Sequence, residues 1–416
     1  MTKLKGFLFA LDNVAMAEGT IDDRRRANSL EFARLIKFLL DTNVRPIVFA
    51  NRSWTVTVNG KKESARSYFT KVWGPRVAWY VADEAGFPRK PQAASLTHVL
   101  TSEGLSPNEV VFLGNDHDDM RVAVNGGVLF LTASWQEAPV DYGFRFESVR
   151  DVARFVDLFC LRDYLWYYEV PSIEMRSLGL VSNQDVLAGR YSKDAIATFK
   201  AKDVRHRDFW TKYLVSTLYF AGIHDRVSLI APYPGHSVGY DNEVVRESLT
   251  TFAKCFRLTY CPDLIVRHKP ATKSQTARLR GEHLDHRNQL NTIHITSKPS
   301  RYGAQPYRNS PFKSPRSILV VDDFTTEGYG LDSARAYLRS IPTIQDIFLV
   351  SLLRFPNRHF HELSPVPKIV DPFAPNTFTE PLSVKVHSFG SGVVDPRSIR
   401  EIAEHFSAYD RWTWPA

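Results

Sequence analysis

Short apolar runs separated by helix-length amphipathic stretches set the fold class of this chain. In the first half the runs are Gly6-Phe-Leu-Phe-Ala-Leu11, Pro46-Ile-Val-Phe-Ala50, Val110-Val-Phe-Leu-Gly114 and Val128-Leu-Phe-Leu131, with a helical pattern from Ser29 to Leu40. In the second half Arg226-Val-Ser-Leu-Ile-Ala-Pro-Tyr-Pro-Gly235, Ser317-Ile-Leu-Val-Val321 and Ile347-Phe-Leu-Val-Ser-Leu-Leu353 continue the pattern. Runs this short suit strands buried on both faces, and the intervening helices supply the crossovers that parallel pairing requires. The expectation is an α/β protein with two doubly wound domains and mainly parallel sheets. A chain of 416 residues is too long for one growing core. Periodicity weakens between Pro139 and Glu147, before a helical pattern from Val149 to Leu161, which divides the chain into residues 1–148 and 149–416. The aromatic segment Tyr164-Leu-Trp-Tyr-Tyr168 is expected to pack between the halves.

Ligands of such folds lie at the carboxyl ends of the strands, so the residues just after each run carry the chemistry. The most informative is the stretch from Ser317 to Leu331, an apolar strand that ends in Asp322 and Asp323 and runs through Thr325, Thr326, Glu327 and Gly328 into a helix starting near Leu331. Two carboxylates leaving a buried strand can accept hydrogen bonds from vicinal sugar hydroxyls. The following loop can turn N–H groups and a hydroxyl toward a phosphate at the positive end of the helix. A solvated strand end followed by an N-cap is the plainer alternative.

These residues resemble the signature of phosphoribosyltransferases for 5-phosphoribosyl 1-diphosphate (PRPP), in which Val-Asp-Asp and two spacers precede Thr-Thr-Gly, one residue and Thr. Thr326 and Gly328 match it, whereas Glu327 and Gly330 stand where it has hydroxyl residues. Further segments are similar to the ComF family of competence-associated phosphoribosyltransferase-like proteins. They are Gly189-Arg-Tyr to Phe199-Lys-Ala-Lys202, the turn Pro232-Tyr-Pro-Gly235, the basic run Arg267-His-Lys-Pro-Ala-Thr-Lys-Ser-Gln275, and Arg287-Asn288. The resemblance implies a type I phosphoribosyltransferase fold, with Asp322 and Asp323 on the ribose hydroxyls and, indirectly, on Mg²⁺. Thr325, Thr326 and Gly328 would take the 5′-phosphate. Tyr233, Gly235 and His236 would line the pyrophosphate loop, and Lys273, Gln275 and Arg287 would belong to a basic segment closing over the leaving group. Lys269, Arg278 and Arg280 are further candidates for the pyrophosphate side, and for Arg278 and Arg280 a solvated helix face from Thr276 to Leu290 is the plainer alternative. Glu327 would repel a phosphate unless it points outward or meets a cation.

The strand ends of the first half resemble the motifs of the haloacid dehalogenase (HAD) superfamily: Phe9-Ala-Leu-Asp-Asn-Val14, Ala50-Asn51, Lys90-Pro91 and Gly114-Asn-Asp-His-Asp-Asp-Met120. The remnant site implied is Asp12, Asn51, Lys90, Asn115, Asp116 and Asp119. Ala10 stands where that family has its nucleophilic Asp, and alanine can neither attack phosphorus nor ligate magnesium. Ala50 and Asn115 replace a phosphate-binding hydroxyl and a metal-binding acid. The implied role is a scaffold, sensor or binding module. An alternative has Asp116, Asp118 and Asp119 holding a divalent cation, against the plainer reading of a solvated loop.

Composition excludes some classes. No apolar run approaches the ~20 residues of a spanning helix, so a membrane role is not expected and the cytoplasm is the default. Cys160, Cys255 and Cys261 form neither a disulfide framework nor a zinc spacing. A net charge of +8 and a pI near 9.2 suit nucleotide phosphates or nucleic acid. The expected function is PRPP-dependent transfer to a nucleobase-like acceptor. The alternatives are a non-catalytic nucleotide or nucleic-acid sensor and, last, a HAD phosphatase. The sequence does not specify the oligomeric state.

Overall fold

Two six-stranded sheets frame the computed structural model, which describes residues 4–16, 23–58, 60–135, 140, 142–182, 186–200, 203–239, 242–272 and 284–415. The first contains β1 (Gly6–Phe9), β2 (Arg45–Ala50), β3 (Ala78–Val81), β4 (Val110–Gly114), β5 (Leu129–Ala133) and β6 (Phe144–Phe146), in the order β3-β2-β1-β4-β5-β6. Every pairing is parallel. Phe7, Leu8, Phe9, Val111, Phe112 and Leu113 are wholly buried, as strands covered on both faces must be. The first crossover is α1 (Asp23–Asp41), longer than the pattern from Ser29 to Leu40 suggested.

The second sheet contains β7 (Tyr168–Val170), β8 (Met175–Leu180), β9 (Leu229–Pro232), β10 (Thr259–Tyr260), β11 (Arg316–Thr325) and β12 (Ile344–Arg354). Its order is β10-β9-β11-β12-β8-β7, parallel except for the antiparallel edge pair β7/β8. The expected α/β class with two mainly parallel sheets therefore holds.

Each sheet has one place where consecutive crossovers wind in opposite directions. In the first it lies between β1 and β4. In the second, β9 leads outward to β10 and the chain then returns to β11 on the other side of β9. A crevice opens at the carboxyl ends beside such a reversal.

The strands of the first sheet all lie before residue 148 and those of the second after it, and the core spans both. One continuous buried cluster contains Phe7, Phe112 and Phe146 together with Phe209, Tyr219, Leu319 and Trp412. Helix α2 (Arg207–Phe220) is its pillar, with every residue from Phe209 to Phe220 buried. Even its lysine is used in packing: Lys212 pairs with Asp208 at 2.6 Å and lies over the Phe146 ring. The Tyr219 hydroxyl donates to the Val110 carbonyl. The stretch after residue 148 is α-helical only over Val149–Phe155 and continues as a π-helical turn over Val156–Cys160. The last helix, α3 (Arg397–Tyr409), delivers a tail that returns to the first half. Trp414 donates to Glu31 of α1 at 2.8 Å, and Trp412 donates at 2.7 Å to Asp157, in the π-helical turn just past residue 148. Leu165 and Trp166 are buried in this shared cluster, as the expected packing between the halves requires, whereas Tyr167 and Tyr168 are buried in a second cluster formed only by residues of the second half. Among the described residues no helix is long and apolar enough to cross a membrane.

Candidate functional site

The crevice of the second sheet is built from the ends of β9 and β11. Val321 lies opposite Pro232 in the register, and Tyr233 N–H donates to the Val321 carbonyl at 2.8 Å. The next two residues of β11, Asp322 and Asp323, therefore stand beside the turn that begins at Tyr233. Asp323 is buried and fully engaged. Lys200 Nζ reaches its two carboxylate oxygens at 2.8 and 2.6 Å, Asn242 Nδ2 donates at 3.0 Å, and Phe324 N–H donates at 2.7 Å. Asp322 is half-buried and accepts from the Asp323 N–H at 2.8 Å. Loss of hydration, and then the charge of Asp323, hold its carboxyl well above the usual carboxylate range, with Lys200 opposing. The two carboxyl groups thus lie side by side, where the hydroxyls of a vicinal diol could hydrogen-bond to both.

After these carboxylates the chain turns. Thr325 ends the strand as a buried residue, so Thr326 is the first hydroxyl of the loop itself. The helix that follows the loop spans Tyr329–Arg339, with Gly328 as N-cap rather than a start at Leu331. Gly328 has φ +85°, and a Cβ there would lie 2.2 Å from the Phe360 ring, so only glycine fits. It has no side chain to cap the helix, whose first N–H groups are available to an anion. Glu327 is turned toward a cation, with Arg358 Nη1 3.7 Å away, and accepts from the Tyr329 hydroxyl. That answers the repulsion its position raised.

The facing wall is the Tyr233 turn, held by Arg267. Its guanidinium donates to the carbonyls of Pro234 (3.3 Å) and Gly235, to Gln289 Oε1 (2.9 Å) and to Thr292 Oγ1 (2.6 Å). In a planar trans peptide the N–H points opposite to the carbonyl, so pulling these two carbonyls back turns the Gly235 and His236 N–H groups the other way. His236 contributes its carbonyl to Ala271 N–H at 2.9 Å. The Tyr233 hydroxyl donates to Gln289 at 2.8 Å, and burial pushes its pKa up to about 12, with Asp322 adding to the rise. Its ring also explains Gly330, where a Cβ would come within 2.9 Å of it. The aromatic ring occupies the space a hydroxyl residue would need.

The other predicted residues are placed differently. Lys273, Gln275, Arg278 and Arg280 lie outside the described residues. The described end of the expected helix is only Arg287–Leu290. Arg287 pairs with Asp285 at 2.7 Å and donates to the Thr379 carbonyl at 2.6 Å, and Lys269 is exposed. Lys200, Asn242 and Arg267 were not singled out as ligands from sequence, although Lys200 and Arg267 lie in the segments that carry the resemblance. An N-cap asparagine gives no signal of a second use.

At the carboxyl ends of the first sheet the remnant residues do come together, but they satisfy one another. Lys90 Nζ pairs with Asp119 and donates to the Phe49 carbonyl at 3.2 Å. Asn51 exchanges hydrogen bonds with the Lys90 backbone at 2.7 and 3.1 Å. Asn115 donates to Ala133 O at 2.7 Å, and Asp116 caps the following helix through Asp119 N–H at 2.8 Å. Burial pushes the Asp119 carboxyl up against the pull of Lys90. Asp12 is gripped by Arg52 through two contacts of 3.2 Å, and Arg52 lies over Trp54. Lys90 is therefore a buried structural cation rather than a surface lysine. Asp116, Asp118 and Asp119 do not converge, and among the described residues no three His, Cys, Asp or Glu side chains are grouped to hold a metal. Ala10 and Ala50 are buried at the strand ends and place methyl groups there, which offer neither a nucleophile nor a metal ligand.

No family model and no curated protein matches the sequence. Solved structures do match part of it. One is a HAD-superfamily hydrolase of Geobacter sulfurreducens, 18% identical, covering 36% of this chain and 97% of that one with a TM-score of 0.25. Another, from Ehrlichia chaffeensis, is also a HAD-superfamily hydrolase, 14% identical over 38% of this chain and 98% of that one, with a TM-score of 0.26. A third is the cobalt-bound deoxy-D-mannose-octulosonate 8-phosphate phosphatase of Haemophilus influenzae, 13% identical over 37% and 85%, with a TM-score of 0.27. These neighbours fall on the N-terminal part of the chain.

Proposed function

We propose that the crevice between β9 and β11 binds a ribose phosphate of the PRPP class and transfers the ribosyl group to a nucleobase-like nitrogen, in the manner of a ComF-like phosphoribosyltransferase. The observation that carries this reading is the Asp322–Asp323 pair at the reversal point of the sheet, with a glycine-capped helix on one side and the Arg267-held turn on the other. The carboxylates would hold the 2′- and 3′-hydroxyls. Thr326 and the first N–H groups of the Gly328-capped helix would hold the 5′-phosphate, and the Gly235 and His236 N–H groups the diphosphate. In the reaction the bond from C1 to the diphosphate oxygen breaks, the acceptor nitrogen bonds to C1, and the acceptor proton is released. The chain's contribution is to fix the sugar, keep water out and receive the departing charge. Mg²⁺ would enter with the diphosphate and neutralise it, with Asp322 and Asp323 touching it through hydroxyls or water.

The first half is proposed as a non-hydrolytic module, because Ala10 leaves it no nucleophile and Lys90 and Asp119 neutralise each other. A purely sensing role for the whole chain, binding nucleotide or nucleic acid without turnover, is the competing reading, and its support is that Lys200 already occupies Asp323. Release of pyrophosphate from PRPP with Mg²⁺ and mixed nucleobases distinguishes them. Release by the wild type and none by Asp322→Asn/Asp323→Asn supports transfer. Equal release by both removes the site from the reaction, and nucleic-acid binding with a steep salt dependence but no release supports sensing.

A further inference from the structure

Arg354, the last residue of β12, is wholly buried and makes no ion pair among the described residues. Its guanidinium lies 4.1 Å from the centre of the Tyr168 ring, 5.6 Å from Phe389 and 5.9 Å from Phe360. Nη2 donates to the Arg358 carbonyl, while Nε and Nη1 have no hydrogen-bond partner among the described residues. Burial pulls its pKa down, but a guanidinium stays charged in a protein. A buried cation without a counter-charge is costly, and aromatic faces offset only part of that cost.

Its location suggests what the charge is for. Arg354 lies opposite Thr325 in the β11/β12 register, and Phe355 N–H donates to the Thr325 carbonyl at 2.9 Å. Register partners share a face of the sheet, so Arg354 and Thr325 lie on the same side. The Phe360 ring that borders Arg354 is also the ring against which Gly328 is packed. Leu331 and Ala334 of the Gly328-capped helix belong to the same buried cluster as Tyr168 and Phe360. The cation therefore sits behind the loop from Thr326 to Gly330. The carboxylate acting on it is Glu327 of that loop, which is itself turned toward Arg358.

We propose that Arg354 is a positioning residue for a phosphate monoester docked on the Thr326–Gly330 loop, acting through its field rather than by contact and offsetting Glu327. The inference rests on the phosphate subsite of the proposed function and does not depend on the group attached to that phosphate. Two probes separate them, inorganic phosphate and PRPP with Mg²⁺, each titrated into wild type, Arg354→Met, Arg354→Gln and Arg354→Lys.

Either neutral variant should bind inorganic phosphate about tenfold more weakly, with an unchanged or higher Tm, while Arg354→Lys should stay within about threefold of wild type. Equal phosphate affinity in wild type and a folded neutral variant overturns the proposal, as does a wild type that binds no phosphate. Failure of both neutral variants to fold, with Arg354→Lys folded, assigns the cation to the core and also overturns it. Phosphate binding that depends on Arg354, together with no binding of PRPP, would keep this inference and sink the ribosyl-transfer reading.

Discussion

Lys200 and Asp323 show how much of this site is a matter of single contacts. The ammonium spans both oxygens of the buried carboxylate, yet the lysine side chain is about half exposed, at 52%. Water competes for such a cation, so Lys200→Met should cost less than about 1 kcal/mol of stability in chemical denaturation. A much larger loss would mean that this contact anchors the helix from Val186 to Lys200. Asp322 gives a prediction with a sign. Its pKa is raised in the folded state, so the stability it contributes is present below the unfolded carboxylate value and is lost as pH rises through the folded one. Asp322→Asn should therefore raise Tm at neutral pH, and the gain should shrink toward zero at about pH 4. A gain that grows toward acid would contradict the assignment. The Asp-Asp pair was legible in the sequence because two carboxylates after an apolar run are a local signal. Asn242 was not, because its role depends on a helix start arriving beside β11.

At the scale of the element, the loop from Thr325 to Gly330 and the turn at Tyr233 have to be read together. Against the family signature, Gly330 looked like a lost hydroxyl. With a Cβ at that position 2.9 Å from the Tyr233 ring, it is the shape the facing turn requires. Restoring the family residue should therefore harm the protein. Gly330→Thr is expected to cost roughly 1–3 kcal/mol through overpacking and to weaken ligand binding rather than improve it, measured by thermal melts and titration. No loss would mean that Tyr233 moves freely. The sequence could show the glycine but not its partner, which lies almost a hundred residues away in the turn after another strand.

Across the whole molecule, the alternating runs predicted both sheets, because hydrophobic period and length are properties of local sequence. The shared core was not predictable in that way. The boundary near residue 148 reflected weak periodicity, while the packing across it comes from α2 and from the tail that returns to α1. Trp412→Ala should thus cost about 3 kcal/mol and lower a single unfolding transition, whereas two independent transitions would show that the halves unfold separately. His405 on α3 adds an acid dependence. Burial first, and then Arg162, lower its pKa to about 4, with Glu404, Asp163 and the Leu158 backbone opposing. Its contribution is complete above the unfolded value of about 6.5 and is lost as pH falls toward the folded one. His405→Asn should flatten the stability profile over that window.

The measurement that tests the central claim most directly is calorimetric titration of PRPP with Mg²⁺ into the wild type and into Asp322→Asn/Asp323→Asn. Saturable binding by the wild type that the folded double variant lacks is the predicted result. No binding by the wild type, or equal binding by both proteins, would contradict it.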